Sequence, residues 1–348
     1  MNTRRSGNLA RILLMMGFLA RAASSEAATR VIIDADPGTD DALAILLALN
    51  SPELSVEAIT VVAGNATASQ GLANALKLVS LAGRLDVPVA LGAQKPLLQP
   101  LVTAESHGPD GLGNVSLPPA RGRPDSHFGP DLIIELVHKY PHEVTLVPIG
   151  PLTNIALALL KDPSIAGLVK EVVFMGGSIS GGGNVDAVAE FNIYVDPEAA
   201  QIVFKGGWPL TMVGLEIGRK ALFTREHLAE LRKTRGPQND FAADLLEYRV
   251  RLGEESGGAT LYDPTAMSAV IDRTLITTML LHVDVELRGE FTRAETVANR
   301  QNALNRKVPR GDRLVFQGTE PLQPNIHVAT DIDVDRFARL LISRLSAK

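Results

Sequence analysis

The sequence predicts an α/β protein: a single Rossmann-like domain with a mostly parallel central sheet flanked by helices. From Val31 onward, short runs of β-branched and aliphatic residues alternate with amphipathic stretches, which is the pattern of βα units. Several predicted helices begin at or beside a proline, which suits the first helical turn because its N–H has no partner there. No internal repeat or low-complexity linker divides the chain. We therefore expect one domain over residues 28–348.

Six strands and nine helices are expected in this domain. The strands are predicted at Val31–Asp34, Val56–Val62, Val87–Ala90, Val144–Pro148, Glu171–Phe174 and Leu210–Val213. The helices are predicted to begin near Asp40, Ser69, Pro130, Pro151, Pro197, Arg225, Gln238, Pro264 and Asp335. The stretch from Gln94 to Pro130 holds seven prolines and predicts a long ordered loop over the sheet, a type of segment that is usually functional.

Composition excludes several classes of protein. The chain has 348 residues, of which 45% are hydrophobic, and its 30 glycines and 21 prolines follow no period, which excludes disorder and collagen-like repeats. The formal net charge is -5, without the basic patch that binding to a nucleic-acid polymer requires. Because the chain has no cysteine, redox state does not indicate its compartment.

The N-terminus has the order of segments typical of a secretory signal peptide. Basic Arg4 and Arg5 precede an apolar stretch from Ile12 to Ala20, and small residues follow. We expect residues 1–27 to be removed, with the cleavage site left open, and the mature protein to be periplasmic or secreted and not bound to a membrane. The alternative is a disordered N-terminal extension.

The most informative segment lies between the first predicted strand and the first predicted helix. Four aspartates, Asp34, Asp36, Asp40 and Asp41, fall within eight positions, where α/β sheets bind ligands. Crowded carboxylates repel one another unless a cation neutralises them, and oxygen ligands without nearby His or Cys favour Ca²⁺ or Mg²⁺ over zinc. The alternative is that Asp40 caps the helix and the other aspartates are solvated.

This acidic segment resembles the metal-binding motif of the inosine-uridine preferring nucleoside hydrolase family. The segments Val144–Ile155 and Val172–Asn192 and the pair Asp263-Pro264 agree with that family in order and spacing, and Ala189–Asn192 strengthens the match. The resemblance runs from about Val31 to the C-terminal helix. It implies the fold of that family, hydrolysis of the N-glycosidic bond of ribonucleosides, one Ca²⁺ per subunit and a homo-oligomer.

The resemblance also assigns roles around the cation. It implies that Asp36, Asp41, Asp263 and the main-chain carbonyl of Ile149 hold the metal. Asp36 would in addition be the general base that accepts a proton from the attacking water. The family often has Thr where this chain has Ile149, but only the backbone oxygen is needed there.

The same resemblance implies which residues hold the nucleoside. Asp40 would bind the ribose 2′-hydroxyl with support from Asn65, and Met175 would lie beneath the ring. The 3′- and 5′-hydroxyls would be held by Asn184, Glu190 and Asn192. Taken singly, Asn184 could be a turn residue and Met175 the end of a buried strand.

The group that activates the leaving base stays open. Better-known members of the family carry His immediately before the ligand aspartate, whereas this chain has Tyr262. Its phenol can donate a proton less readily than an imidazole, or it can stack on the base and leave activation to Tyr248 or His107. His107 lies in a glycine-rich segment that also resembles the family, and it is our further candidate for substrate binding. Base preference stays undetermined.

Two rival functions compete with this interpretation. Asp34-Ala35-Asp36 after a strand mimics the nucleophile motif of haloacid-dehalogenase-like phosphatases, although Gly38 departs from that pattern. The second rival is a non-catalytic exported protein that binds nucleosides or ribose and has lost its chemistry together with the histidine. Free ribose, inorganic phosphate or binding without turnover would distinguish the three.

Overall fold

The computed structural model describes residues 27–180, 182–299 and 322–346. In these ranges the strands are β1 (Thr29–Ala35), β2 (Leu54–Val61), β3 (Val89–Leu91), β4 (Val144–Pro148), β5 (Glu171–Met175), β6 (Leu210–Val213), β7 (Leu222–Phe223), β8 (Ala259–Thr260), β9 (Ile276–Val285), β10 (Thr296–Asn299) and β11 (Ile326–Ile332). The signal-peptide prediction for residues 1–27 falls almost wholly on residues outside the described part.

The helices alternate with these strands along most of the chain. They are α1 (Thr39–Leu49), α2 (Ala68–Leu81), α3 (Gly129–Lys139), α4 (Thr153–Lys161), α5 (Ile165–Leu168), α6 (Phe191–Val195), α7 (Pro197–Phe204), α8 (Leu215–Lys220), α9 (Arg225–Leu231), α10 (Pro237–Leu252), α11 (Tyr262–Ile271) and α12 (Val334–Leu345). Within the described ranges, we find no helix with the length and apolar character that crossing a bilayer requires.

Nine of the described strands form one twisted sheet in the order β10-β9-β11-β6-β5-β4-β1-β2-β3. All neighbours from β11 to β3 pair in parallel, while β9 pairs antiparallel with both β11 and β10. The prediction of a mostly parallel sheet flanked by helices is therefore confirmed, with an antiparallel edge that it did not include. Strands β7 and β8 form a separate antiparallel pair.

The sheet is buried on both faces, which explains the unbroken apolar runs in its central strands. In β1, Val31 and Ile33 pack into the core under α1, α10, α11 and α12, while Ile32 points into the opposite core with α3, α4 and α7. The result is three layers, with helices on either side of one sheet.

The order of the strands places a crevice beside β1. The chain moves from β1 to β2 and β3 on one side, then returns to β4 on the other, so the direction of winding reverses between β1 and β4. The register aligns Asp34 with Thr60 of β2 and with Pro148 of β4. The three strands therefore end level, and the residues that follow them meet at one edge of the sheet.

Candidate functional site

A cavity of about 370 Å³ opens at this edge of the sheet. Ten of the twelve site residues that the sequence predicts line it: Asp40, Asn65, His107, Ile149, Met175, Asn184, Glu190, Asn192, Tyr262 and Asp263. The other two, Asp36 and Asp41, are buried residues of the same β1–α1 segment and contact lining residues. The predicted loop between Gln94 and Pro130 supplies one wall, from Val102 to His107.

Asp36 and Asp41 form a hydrogen-bonded floor. Asp36 Oδ2 accepts from the backbone N–H of Asn65 at 2.6 Å, and the backbone N–H of Asp36 donates to Asp41 Oδ1 at 3.2 Å. Asp41 Oδ2 accepts from the Gly38 N–H at 3.0 Å and from Asn65 Nδ2 at 2.9 Å. The helix-capping contact is therefore made by Asp41, which corrects the alternative that assigned the cap to Asp40.

Two glycines allow the neighbouring loops to close on Asp36. A Cβ on Gly150 would lie 2.6 Å from Asp36 Oδ1, and a Cβ on Gly64 would overlap Asp36 Oδ2. These glycines follow β4 and β2, the strands on either side of β1. The backbone can approach the carboxylate this closely only because neither residue has a side chain.

The floor fits a hard divalent cation. Asp36 Oδ1 is buried and has no hydrogen-bond partner among the described residues, an arrangement that is costly unless a ligand satisfies the oxygen. Asp40, Asp41 and Asp263 each offer an oxygen within 4.8 Å of those of the other two. All of these donors are oxygens, which suits Ca²⁺ or Mg²⁺. The cluster can therefore hold a metal ion. The close triad contains Asp40, which the resemblance assigns to the substrate, and does not contain Asp36, which the resemblance assigns to the metal.

The electrostatics of the cluster also favour a cation. Burial raises the pKa of Asp36 well above its usual value, and the nearby charge of Asp41 raises it further. Burial raises the pKa of Asp41 to about 6, with Asp40 adding to the effect. The pKa of Asp263 is raised by burial and by its three acidic neighbours. A positive ion would offset this repulsion and favour the ionised carboxylates.

Asn192 joins the ends of β4 and β5. Its Nδ2 donates to the carbonyl oxygens of Ile149 at 3.0 Å and Met175 at 3.2 Å, and it lies 3.3 Å from Met175 Sδ. Ile149 lines the cavity, and its carbonyl oxygen retains a second lone pair, so it remains available as a metal ligand.

Glu190 organises the neighbouring wall through backbone contacts. Its carboxylate accepts from the N–H groups of Gly177, Asn192 and Ile193 at 2.9–3.1 Å and so caps α6. Burial raises the pKa of Glu190. Asn184 is exposed and anchors the loop differently, because its Oδ1 accepts from the Phe191 N–H at 2.9 Å. Both residues line the cavity as expected.

His107 is a neutral hydrogen-bond donor at the cavity wall. Its Nδ1 lies 3.0 Å from both the backbone nitrogen and the hydroxyl of Thr39, which are donors, so the ring proton is assigned to Nε2. Burial lowers the pKa of His107 to about 4. The imidazole therefore lacks the second proton that a strong general acid would need at neutral pH.

The two tyrosines considered for the leaving group have different positions. Tyr262 is the first residue of α11, lines the cavity and packs its ring tightly against Gly218. Tyr248 does not line the cavity: its hydroxyl donates to the Ser106 carbonyl at 3.1 Å, and its ring packs against Gly113. The structure therefore retains Tyr262 as a candidate and makes Tyr248 a support for the His107 loop.

Asp34 lies outside the cavity, in the interior of the sheet. Its Oδ1 accepts from Thr60 Oγ1 at 2.6 Å and from Asn154 Nδ2 at 2.7 Å, and the residue is fully buried. Burial raises its pKa to about 7. A nucleophile needs access to its substrate, so this placement contradicts the phosphatase alternative, in which Asp34 would attack phosphorus.

The sequence analysis did not predict two charged residues that line the cavity, Glu105 and Arg249. Arg249, on α10, lines the wall and lies 3.6 Å from Asp40 Oδ2. It also contacts Thr39, 210 residues earlier in the chain. A lone arginine in an amphipathic helix carries no spacing signal, and only the folded chain brings it to the acidic segment.

The fold and the site together define an α/β protein with a pocket at one edge of its sheet and buried carboxylates at the floor of that pocket. Comparisons with known proteins narrow this class. The pyrimidine-specific ribonucleoside hydrolase RihA of Citrobacter koseri is 39% identical over 321 residues, covering 91% of this chain and 97% of the relative. The inosine-uridine preferring nucleoside hydrolase of Crithidia fasciculata is 38% identical over 322 residues, again covering 91% and 97%.

A solved structure agrees with these relatives. A plant nucleoside hydrolase superposes with a TM-score of 0.84 at 35% identity, covering 92% of this chain and 99% of that one. Residues 31–339 match the inosine-uridine preferring nucleoside hydrolase family. The chain belongs to that family, and the resemblance seen in the sequence is confirmed.

Proposed function

We propose that this protein hydrolyses the N-glycosidic bond of ribonucleosides, giving ribose and the free base, and that it depends on calcium. The observation that carries the proposal is the convergence of buried carboxylates on one cavity, with Asp36 Oδ1 lacking any partner in the described part of the chain. Membership of the family supports the reaction class. The donor set supports calcium, because it consists of oxygens rather than nitrogen or sulfur.

The proposed cation would be held by Asp36, Asp41, Asp263 and the Ile149 carbonyl oxygen. When bound, it supplies positive charge that favours ionised carboxylates, orients the vicinal diol of the sugar and makes water more acidic. Asp36 then accepts a proton from the attacking water. Its fixed hydrogen bond to the Asn65 backbone holds the carboxylate in place for this step.

The remaining side chains stabilise the sugar as the bond to the base breaks. The departing base leaves positive charge on the ribose, as in glycoside hydrolysis, and nearby carboxylates and carbonyl dipoles favour that charge. Asp40 faces the cavity and is proposed to accept from the 2′-hydroxyl. Asn192 Nδ2 already donates to two backbone carbonyls, so the orientation of the amide is fixed. Its Oδ1 is proposed to accept from a further hydroxyl of the sugar.

The leaving base is proposed to receive hydrogen bonds from Tyr262 and from Nε2 of His107. Both residues line the cavity, and burial lowers the pKa of His107 to about 4, so its neutral ring can donate from Nε2. Base preference is not assigned, since one similar relative is named pyrimidine-specific and another inosine-uridine preferring.

A substrate panel with metal control tests this function. Inosine, uridine, cytidine and adenosine are incubated with protein treated with EDTA, and then with Ca²⁺ or Mg²⁺ restored, while free ribose is measured. We expect ribose release from at least one nucleoside, loss of release in EDTA and recovery with Ca²⁺. Full activity in EDTA would overturn the calcium dependence. Tight nucleoside binding without ribose release would instead favour a binding protein.

We also propose that the protein is exported and that it forms a homo-oligomer. Export is supported by the order of basic, apolar and small residues over residues 1–27. N-terminal sequencing of the mature protein tests it, and a mature chain that still begins at Met1 would contradict it. Sedimentation tests the assembly, which is supported by family resemblance alone.

A further inference from the structure

Arg249 connects two parts of the site that the sequence treats separately. The residue lies near the C-terminal end of α10, and its side chain is only 10% exposed. Its Nη2 donates to the Thr260 carbonyl at 2.7 Å and lies 3.6 Å from Asp40 Oδ2, while its Nη1 donates to Thr39 Oγ1 at 3.4 Å. One guanidinium is therefore anchored by backbone and contacts the start of α1.

We propose that Arg249 is a positioning residue that holds Asp40 for the ribose 2′-hydroxyl and keeps it out of the metal cluster. The inference rests on the proposed function, because it concerns the same ribose pocket. It assigns this arginine a role in selecting ribosides over 2′-deoxyribosides.

The acidic triad explains why Asp40 needs such a partner. Asp40, Asp41 and Asp263 lie close enough for all three to coordinate one ion. Among these three aspartates, Asp40 is the one that lies within 4 Å of a basic side chain in the described part of the chain. Its Oδ2 is 3.6 Å from Arg249 Nη2, and its Oδ1 is 3.8 Å from His107 Nδ1. A carboxylate that shares its charge with a guanidinium attracts a second cation less strongly. Asp40 is therefore left to the substrate.

The Arg249 guanidinium also contacts, through Thr39, the residue proposed to bind the base, His107. Arg249 donates to the Thr39 hydroxyl, and that hydroxyl contacts Nδ1 of His107 at 3.0 Å. Arg249 thus supports the residue proposed for the 2′-hydroxyl directly and the residue proposed for the base through Thr39. The reacting bond lies between these two parts of the substrate.

Arginine suits this position better than lysine. Its planar group has donors in fixed directions, so it can reach the Thr260 carbonyl, Thr39 and Asp40 at once, whereas a lysine ammonium is a compact charge on a flexible stem. The same helix provides a matched control. Arg251 is 68% exposed and pairs with Glu247 at 3.1 Å on the surface.

The test compares sugar binding by R249Q, R249K and R251Q with that of the wild-type protein. D-ribose and 2-deoxy-D-ribose are titrated into Ca²⁺-loaded protein by NMR, so that binding is measured without turnover. We expect R249Q to weaken ribose binding about tenfold while 2-deoxyribose changes by less than about twofold, because only ribose has the 2′-hydroxyl that Asp40 accepts from. R249K should lie between the wild-type protein and R249Q, and R251Q should match the wild-type protein.

Calcium affinity supplies a second readout. Removing a neighbouring cation should leave calcium binding by R249Q equal or tighter, since the repulsion between the two positive charges is lost. Equal weakening of ribose and 2-deoxyribose binding in R249Q, or unchanged ribose binding, would overturn the inference. The proposed function would still stand if the wild-type protein releases ribose from nucleosides. If R249Q does not fold, the same comparison of ribose with 2-deoxyribose binding is made with R249K. A wild-type protein that binds neither sugar would overturn the inference, and the proposed function would fall with it only if no nucleoside released ribose.

Discussion

Four aspartates in one short segment have four different environments, and the role proposed for each follows from its environment. Asp34 is sealed in the sheet, Asp36 keeps one oxygen without a partner, Asp41 accepts from backbone and amide groups, and Asp40 faces a guanidinium. The sequence predicts the cluster and its position after β1. It could not separate these environments, because each depends on residues from distant strands and helices.

Replacing Asp36 with asparagine tests the centre of the site. The D36N variant should lose calcium affinity by about tenfold or more, and its kcat should fall by about 10³-fold, since both a ligand charge and the general base are removed. Calorimetry and ribose release measure the two effects. Asp86, an exposed residue paired with Arg84, supplies the control D86N. An unchanged rate in D36N would remove Asp36 from its proposed role.

Asp34 should make the metal-free protein less stable as pH rises. Its pKa is raised by burial to about 7 in the folded state, against about 3.9 when unfolded, so the folded state keeps a proton that the unfolded state loses. The free energy of unfolding should therefore fall between pH 4 and 7, with a contribution from this residue of at most about 1.4 kcal/mol per pH unit.

The D34N variant removes this titration while resembling the protonated side chain in shape. Urea unfolding in EDTA across pH 4 to 8 should give a flatter profile for D34N than for the wild-type protein. Parallel profiles for the two proteins would show that Asp34 ionises normally.

At the scale of elements, the sequence predicted the parallel core of the sheet and missed its edge. The strands β4 and β6 have the predicted bounds, and β1 and β2 differ by one or two residues at their ends. Buried parallel strands are continuous apolar runs, which is a strong signal. Strands β9 and β11 carry exposed polar residues along their length, and they were missed because their pairing partners lie far along the chain.

Gly150, which lies between β4 and α4, should not tolerate replacement by a larger residue. In G150A, the added methyl group would meet Asp36 Oδ1 at 2.6 Å and displace the carboxylate. We expect calcium affinity to fall about tenfold or more, in the range seen when a ligand's support is disturbed. Gly167, which has open space around its Cβ position, supplies the control G167A. Equal calcium affinity in both variants would contradict the proposed close fit.

Across the whole molecule, the proposed ligands come from elements that are far apart in the sequence. Asp36 and Asp41 belong to the β1–α1 segment, Ile149 follows β4 and Asp263 lies in α11. An ion that binds all of them binds the folded chain and not the unfolded one, so calcium should stabilise the entire domain.

Thermal and urea unfolding with and without calcium measure this coupling. At a free Ca²⁺ concentration one hundred times the dissociation constant, the free energy of unfolding should rise by about 2.7 kcal/mol. The D36N variant should gain much less, and D86N should gain as much as the wild-type protein. A wild-type unfolding curve insensitive to calcium would show that the ion does not bind these dispersed ligands.

The long stretch of chain between Asp36 and Asp263 has a consequence for synthesis of the protein. Asp36 and Asp41 emerge early from the ribosome. Asp263 and the whole of α11 emerge only after about three quarters of the chain has been made. Until then Asp36 and Asp41 lack the third carboxylate of the proposed site, which α11 supplies. If Asp263 is a ligand as proposed, we expect a nascent chain to be inactive through most of translation and catalytic activity to appear only after α11 has joined the fold.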